Sequence, residues 1–382
     1  MNRSKLIPKY SKRYHQIKKV TKIAAYSAVM LVTLAFLGYG IVSGLPPVTA
    51  VREDGGGEIT AGENAFLPEP IPEDLFCEDE SEDLFGEFFY ENDEPIAMGI
   101  YEDIFSEDDV TVPAGELKIV KTDLSKSPAP GTVLLKNNTS YKIKSKDYLT
   151  ADKLTLPSSV GTVSAADTEK PLVLIYHSHG TEAYAEEGRT SYLKKKLPRS
   201  TDITKNVVAI GGVIADVLDE NGIPTLHCEI MHDKDSYNNA YTYSKATLRE
   251  YLEKYPSIKY CFDVHRDALL NSTTVYKVLT YDGSTPVAQV MFVVGTDANG
   301  ANHPNWGKNL SLAVDAQYLL SMRLENLMRP ICIRSCTFWQ EYCEGGLLLE
   351  VGTCVNTLAE AKAAANIVGQ TLSTLIRARE NL

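Results

Sequence analysis

Along this chain the hydrophobic positions follow three different rhythms. Residues 23–45 are continuously apolar, residues 46–115 break any period with acids, proline and glycine, and from Pro171 onward short apolar runs alternate with amphipathic stretches. The runs at 171–176, 223–227, 258–264, 287–295 and 346–351 have the length of buried strands. Between them, 204–220, 240–254, 307–328 and 357–379 read as helices; Val207, Ile210, Ile214, Val217 and Leu218 share one face of the first, and Asn221-Gly222 ends it. Strand and helix in alternation predict an α/β domain over 166–382, three layers thick around a mostly parallel sheet. Residues 116–165 are expected as an extended lead-in packed on it.

The run 23–45 contains no charged side chain, and about 20 apolar residues cross a bilayer as a helix. Residues 1–22 hold eight Lys/Arg and no acid, whereas residues 53–109 hold twenty-one Asp/Glu and no Lys/Arg. The positive-inside rule then predicts a basic cytoplasmic tail (1–22), one transmembrane helix (23–45) and an extracytoplasmic remainder. A cleaved signal peptide is the competing reading, since Val48-Thr49-Ala50 offers small residues for a peptidase, but the run exceeds the usual apolar core of roughly 7–15 residues. Residues 46–115 read as an acidic stalk. Within it, the repeated Asp74-Leu75-Phe76 and Asp83-Leu84-Phe85 are either a docking motif or ordinary linker composition.

The net charge of −12 belongs to these N-terminal segments, and from residue 110 onward the charges cancel. No basic surplus is left for nucleic acid, and a 44% hydrophobic content excludes disorder throughout. The seven cysteines form an odd set with no CxxC pair. That removes support for a zinc ribbon and suggests mostly buried thiols, at least one of them without an internal partner.

Open parallel sheets bind ligands where the loops leave the carboxyl ends of their strands. Here 171–176 leads to His177, His179 and Glu182, 258–264 leads to His265, and 346–351 contains Glu350. His179-x-x-Glu182 with a distant histidine would give a divalent metal two nitrogens and one oxygen, with a position left for water. These ligands suit zinc, with manganese and iron as alternatives. Such a metal lowers the pKa of its water toward about 7 and polarises a carbonyl. Glu350, an acid after Leu347-Leu348-Leu349, is the expected general base, because apolar surroundings raise a carboxyl into the useful range. Its structural alternative is to cap the next helix or pair with Arg266. Two residues apart on an extended chain, His177 and His179 are expected to point the same way, so either could reach a metal, His179 being nearer Glu182. The absence of HExxH and of Gly-x-Ser-x-Gly argues against helix-borne zinc proteases and serine hydrolases.

Tyr176-His177-Ser178-His179-Gly180-Thr181-Glu182-Ala183-Tyr184, Asp263-Val264-His265-Arg266-Asp267-Ala268 and Leu349-Glu350-Val351-Gly352 with Asn356 together resemble the stage II sporulation protein P family, membrane-anchored cell-wall hydrolases of endospore formers. Lys121-Thr122-Asp123-Leu124-Ser125 followed by Asn137-Asn138-Thr139-Ser140 resembles that family's segment ahead of its catalytic domain, so that the likeness covers roughly 116–380. It implies a zinc-dependent N-acetylmuramoyl-L-alanine amidase, with an added endopeptidase activity as an option, that thins septal wall during engulfment of the forespore. The fold implied is the phosphorylase/hydrolase-like α/β sandwich of zinc amidases and carboxypeptidases. Peptidoglycan, the cell membrane and sporulation proteins D and M are the implied partners, and the septal or intermembrane space the implied location. Carried over by position, His179 and His265 are metal ligands and Glu350 the catalytic carboxylate. The third ligand is Glu182, with Glu186 and Glu187 as the alternatives of the broader amidase group.

Arg266, beside a ligand, is expected to bind a stem-peptide carboxylate or a tetrahedral oxyanion, or else to pair with Asp263 or Asp267. The Tyr- and Asn-rich residues 237–245 suit a sugar-peptide groove or a loop entering a helix. Rival functions are an endopeptidase or carboxypeptidase on the same scaffold, and a non-catalytic wall-binding scaffold, which would have no use for Glu350.

Overall fold

The computed structural model describes residues 112–126, 129–156 and 170–382, together with an antiparallel pairing of Tyr90–Glu91 with Glu94–Pro95. The basic tail, the expected transmembrane helix and both Asp-Leu-Phe motifs lie outside the described residues. Among those described, no helix is long and apolar enough to cross a membrane.

Runs of β-branched and aromatic residues pair into a seven-stranded sheet. Its order is β2 (Leu135–Asn137), β10 (Ile331–Arg334), β9 (Val290–Gly295), β11 (Gly345–Thr353), β6 (Tyr260–Asp267), β3 (Val173–Tyr176) and β5 (Thr225–His227). Every neighbouring pair is parallel except β9 with β11. The expected mostly parallel sheet is therefore present with one reversal. Four helices flank it: α1 (Val207–Glu220), α2 (Ala240–Lys254), α3 (Trp306–Arg323) and α4 (Leu358–Glu380). The core between the sheet and α1, α3 and α4 takes Ile175, Phe262, Val264, Phe292, Leu347 and Leu349, whereas α2 packs through Leu248 on Leu174, Tyr176 and Cys261 of the other face. These are the three expected layers. Period-two alternation puts Asp263, His265 and Glu350 on the α2 face.

A second, four-stranded sheet has no counterpart among the expected elements. It runs β8 (Thr285–Ala288), β7 (Thr274–Asp282), β1 (Glu116–Thr122), β4 (Ser191–Leu193). The apolar run 287–295, expected as one strand, divides at Gln289 between β8 of the small sheet and β9 of the large one. Gln289 is fully buried, and its amide accepts from the Leu124 N–H at 2.9 Å and donates to Asp123 Oδ1 and Asn326 O, which makes the break polar but satisfied. Within 116–165, expected as a lead-in, Glu116–Thr122 is β1 of one sheet and Leu135–Asn137 is β2 of the other, so both strands are built into the sheets. Cys228, Cys261, Cys332, Cys343 and Cys354 are buried free thiols, and Cys336 is disulfide-bonded.

Candidate active site

Glu350 of β11 stands beside His265 of β6 in the parallel register. Just past this pair the strands lose step: Thr353 is the next residue of β11 to find a partner, Asp267, and Gly352 takes φ +73°. Such a bulge needs the left-handed backbone that glycine adopts readily, and it stops the ladder directly after the acid. Asn356 secures the following turn, its Oδ1 accepting from the Thr353 N–H at 2.8 Å.

His177 and His179 do not point the same way. His177 continues the apolar side of β3, with Nδ1 2.8 Å from Val264 O and Nε2 2.9 Å from His227 Nε2. A Cβ on Gly211 of α1 would stand 2.6 Å from His177 Cε1, so only glycine leaves room for the ring. Burial first, then the neighbouring His227, holds His177 down to about 3 and keeps it neutral. Because β3 ends at Tyr176, the chain turns through 178–180 and delivers His179 to the other face, its ring 5.5 Å from that of His265. Alternation of faces holds only along an extended chain, and the strand has already stopped before His179. Asp233 pins the turn, accepting from the Thr181 N–H (2.9 Å) and Arg199 Nη1 (2.8 Å) and lying 3.8 Å from His179 Nδ1.

Glu182 is buried with Oε2 3.5 Å from His265 Nδ1, and it accepts from the Arg266 N–H at 3.1 Å. Burial alone would raise its pKa, but Arg266 and then His265 outweigh it and hold the carboxyl below the ordinary range. Arg266 places Nη1 3.4 Å from Glu182 Oε1 and donates through Nε to Ala183 O and through Nη2 to Pro198 O. Every guanidinium nitrogen thus rests on a protein oxygen. Three of its five N–H groups are engaged in this way, and its carboxylate partner is Glu182 rather than Asp263 or Asp267. Glu186 and Glu187, the alternatives to Glu182, are exposed.

Burial, and after it the Asp267 carboxylate, pushes the Glu350 carboxyl up to about 8, and its Oε2 is buried without a hydrogen bond. A carboxyl in that range exchanges a proton near neutral pH. In donor chemistry, His179, Glu182 and His265 fit a divalent cation: two imidazoles and an ionised carboxylate, beside Glu350 Oε2, which is buried without a hydrogen bond. Among the described residues no three His, Cys, Asp or Glu side chains converge round one point. The fit is thus one of donor type and burial.

The family model of stage II sporulation protein P (SpoIIP) matches residues 110–373, which takes in both sheets, α1 to α3, most of α4 and all the site residues above. The chain belongs to the stage II sporulation protein P family. Stage II sporulation protein P of Bacillus subtilis (strain 168) is 24% identical over 220 residues, 54% of this chain and 51% of that protein; the chain thus spans about half the length of this curated relative. Among solved structures, N-acetylmuramoyl-L-alanine amidase AmiC2 of Nostoc punctiforme superposes with a TM-score of 0.32 at 10% identity, covering 57% of this chain and 99% of that one. The N-acetylmuramoyl-L-alanine amidase of Clostridium difficile 630 gives a TM-score of 0.30 at 12% identity (55% and 97% covered). Ami1 of Mycobacterium smegmatis gives 0.29 at 10% (54% and 96%).

In this member of the family, Asp263 meets the site although the sequence did not single it out for it, and the Tyr/Asn-rich stretch meets it as one of its two expected readings had it. Asp263 Oδ1 lies 2.9 Å from His265 Nε2 and accepts from the Ser178 N–H, while Oδ2 accepts from Ser178 Oγ at 2.6 Å. The alternation that places His265 on this face places Asp263 there too, and that was the available signal. Tyr241, in the first turn of α2, stands edge-on to His179 (5.3 Å) and parallel to His265 (6.5 Å), and Tyr237 stacks on His179 at 4.4 Å. The Tyr/Asn-rich stretch therefore both enters a helix and walls the site.

Proposed function

We propose that this family member is a zinc-dependent N-acetylmuramoyl-L-alanine amidase, cutting the amide between muramic acid and the stem peptide in septal peptidoglycan during sporulation. The observation that carries this reading is the placement of Glu350 beside His265 on adjacent strands, with Glu182 and His179 gathered on the same imidazole. His179, Glu182 and His265 would hold the zinc ion, which when bound supplies a Lewis acid for the scissile carbonyl and a water of lowered pKa. Glu350 takes the proton of the attacking water and returns it to the nitrogen of the departing alanine, so the carboxyl ends each cycle as it began. Arg266 holds Glu182, and Asp263 holds His265, in the orientation this requires. Tyr237 and Tyr241 keep bulk water from the imidazoles.

In this reading the domain works outside the membrane, in the septal or intermembrane space, anchored by 23–45. The charge asymmetry around that run supports the orientation, and sporulation proteins D and M are the proposed partners. The test is digestion of purified peptidoglycan by the full chain in detergent, with zinc or with chelator, alongside Glu350→Ala, the products read by mass spectrometry. Free stem peptides that vanish in the variant and with chelator are expected. Shortened or uncrosslinked stems would move the assignment to a carboxypeptidase or endopeptidase. No release from folded, zinc-loaded protein would leave the wall-binding scaffold.

A further inference from the structure

Arg329 lies just before β10, 2% exposed, its N–H donating to Val290 O at 2.9 Å. Val290 adjoins Met291, the β9 residue paired with Glu350, so the arginine stands at the end of the sheet where the candidate base stands. Its Nη2 is 2.7 Å from Asp267 Oδ2, while Nη1 is buried with no hydrogen bond. A buried guanidinium nitrogen without an acceptor is costly, and native structures leave few such groups without a reason. Asp267 fixes one edge of the planar fork and leaves the other to a ligand. The charges of Arg329 and Arg334 both act on Lys136, the β2 residue paired with Cys332, and all three cations act on the Cys332 thiol. Positive potential therefore collects around Arg329, the one of the three whose charge also acts on Glu350, with Asp267 the carboxylate that shares it. Arg266, by contrast, already has each of its three guanidinium nitrogens on a protein oxygen, of Glu182, Ala183 or Pro198.

We propose that Arg329 is a substrate-binding residue whose open Nη1 edge receives a carboxylate of the stem peptide, with Asp267 orienting the guanidinium and Lys136 and Arg334 supplying the surrounding positive potential. The assignment rests on the amidase reading, because that reading brings an acidic peptide to this end of the sheet. It makes the enzyme selective for stems with free carboxylates over amidated ones.

The experiment measures binding without turnover. The free stem tetrapeptide and the same peptide with every carboxylate converted to the primary amide are titrated calorimetrically into the full chain and its variants. At least tenfold tighter binding of the acid is expected. Arg329→Lys, which keeps the charge toward Asp267 but loses the fork, and Arg329→Gln should both bring the two peptides within about twofold. Lys136→Gln, at the half-buried sheet edge, should cut the preference by a smaller factor, which keeps the test open where an Arg329 variant does not fold. Equal affinity of the wild type for acid and amide, no binding of the acid at millimolar concentration, or full preference retained in both Arg329 variants would overturn the proposal. Digestion of free-acid and amidated peptidoglycan separates the two failures. Equal kcat/KM on both sinks the carboxylate subsite alone, whereas no digestion of either with the binding preference intact sinks the amidase reading.

Discussion

The two faces of the seven-stranded sheet are built by the same strands and do opposite things. Under α1, α3 and α4 the strands present Ile175, Phe262, Val264, Phe292, Leu347 and Leu349, all within 1% of complete burial. One residue out of phase, toward α2, they present Asp263, His265 and Glu350. Ionisable groups are costly to bury even when paired, and the aliphatic face offsets that cost through apolar area removed from water. Period two thus sets chemistry and cohesion one residue apart on a single strand, which makes them separable by substitution.

The largest separation is expected at Glu350. Glu350→Gln should lower the rate of stem-peptide release by about 10²–10⁴, the usual worth of a positioned base. Its thermal midpoint should hold or rise, because the variant removes an acid whose Oε2 is buried without a hydrogen bond. Digestion and thermal unfolding on one preparation check both halves, and a drop in midpoint of more than about 5 °C would mean that the faces are not independent. The converse variant is Phe262→Ala, one residue before Asp263. It should cost about 3–5 kcal/mol by denaturant unfolding while leaving the turnover of molecules still folded in the cold close to wild type. Loss of turnover at full folding would break the comparison from the other side.

How much of this was legible beforehand follows from the same alternation. Helix α2 falls on the expected 240–254, and the four central strands fall within a few residues of their apolar runs, because those runs are long and bounded by turn residues. The small sheet was not legible. β7 mixes Lys277, Tyr276 and Tyr281 with its valines, and β4 and β8 are too short to show a period. In the site, residue types at the strand ends could be read, but their directions could not. Whether His177 and His179 share a face depends on β3 stopping at Tyr176, a boundary that no pattern marks. The partner of Arg266 is set by the path of the 182–198 loop, and that of Arg329 by β10 lying next to β9. Both are tertiary facts.

A smaller effect sharpens the contrast on the apolar side. Gly211→Ala drives a methyl into His177 and His227, 2.6 and 2.9 Å from their ring atoms, and overpacking of this kind costs about 1–3 kcal/mol. If the collision is the cause, the same substitution should cost markedly less in a His177→Ala background, where one of the obstructing rings is gone. A double-mutant cycle by denaturant unfolding measures the coupling. Additive costs would locate the penalty in helix α1 itself.

The smallest effect concerns what a buried imidazole needs. Burial would lower the pKa of His265, but Asp263 and then Glu182 carry it well above the ordinary value. His303, in the loop before α3, is 1% exposed with neither ring nitrogen hydrogen-bonded, and burial holds it down at about 4 against an ordinary 6.5. An imidazole depressed in this way contributes its full stability above pH 6.5 and loses it as the pH falls toward 4, because over that window the unfolded chain takes up a proton that the folded one refuses. Solvent reaching the loop screens part of the effect, leaving on the order of 1 kcal/mol at pH 5. Thermal midpoints of the wild type should therefore fall more steeply between pH 6.5 and 4 than those of His303→Phe, the two curves running parallel above pH 7. Equal slopes throughout would show that His303 accepts its proton as readily folded as unfolded, and that carboxylate neighbours are not what separates it from His265.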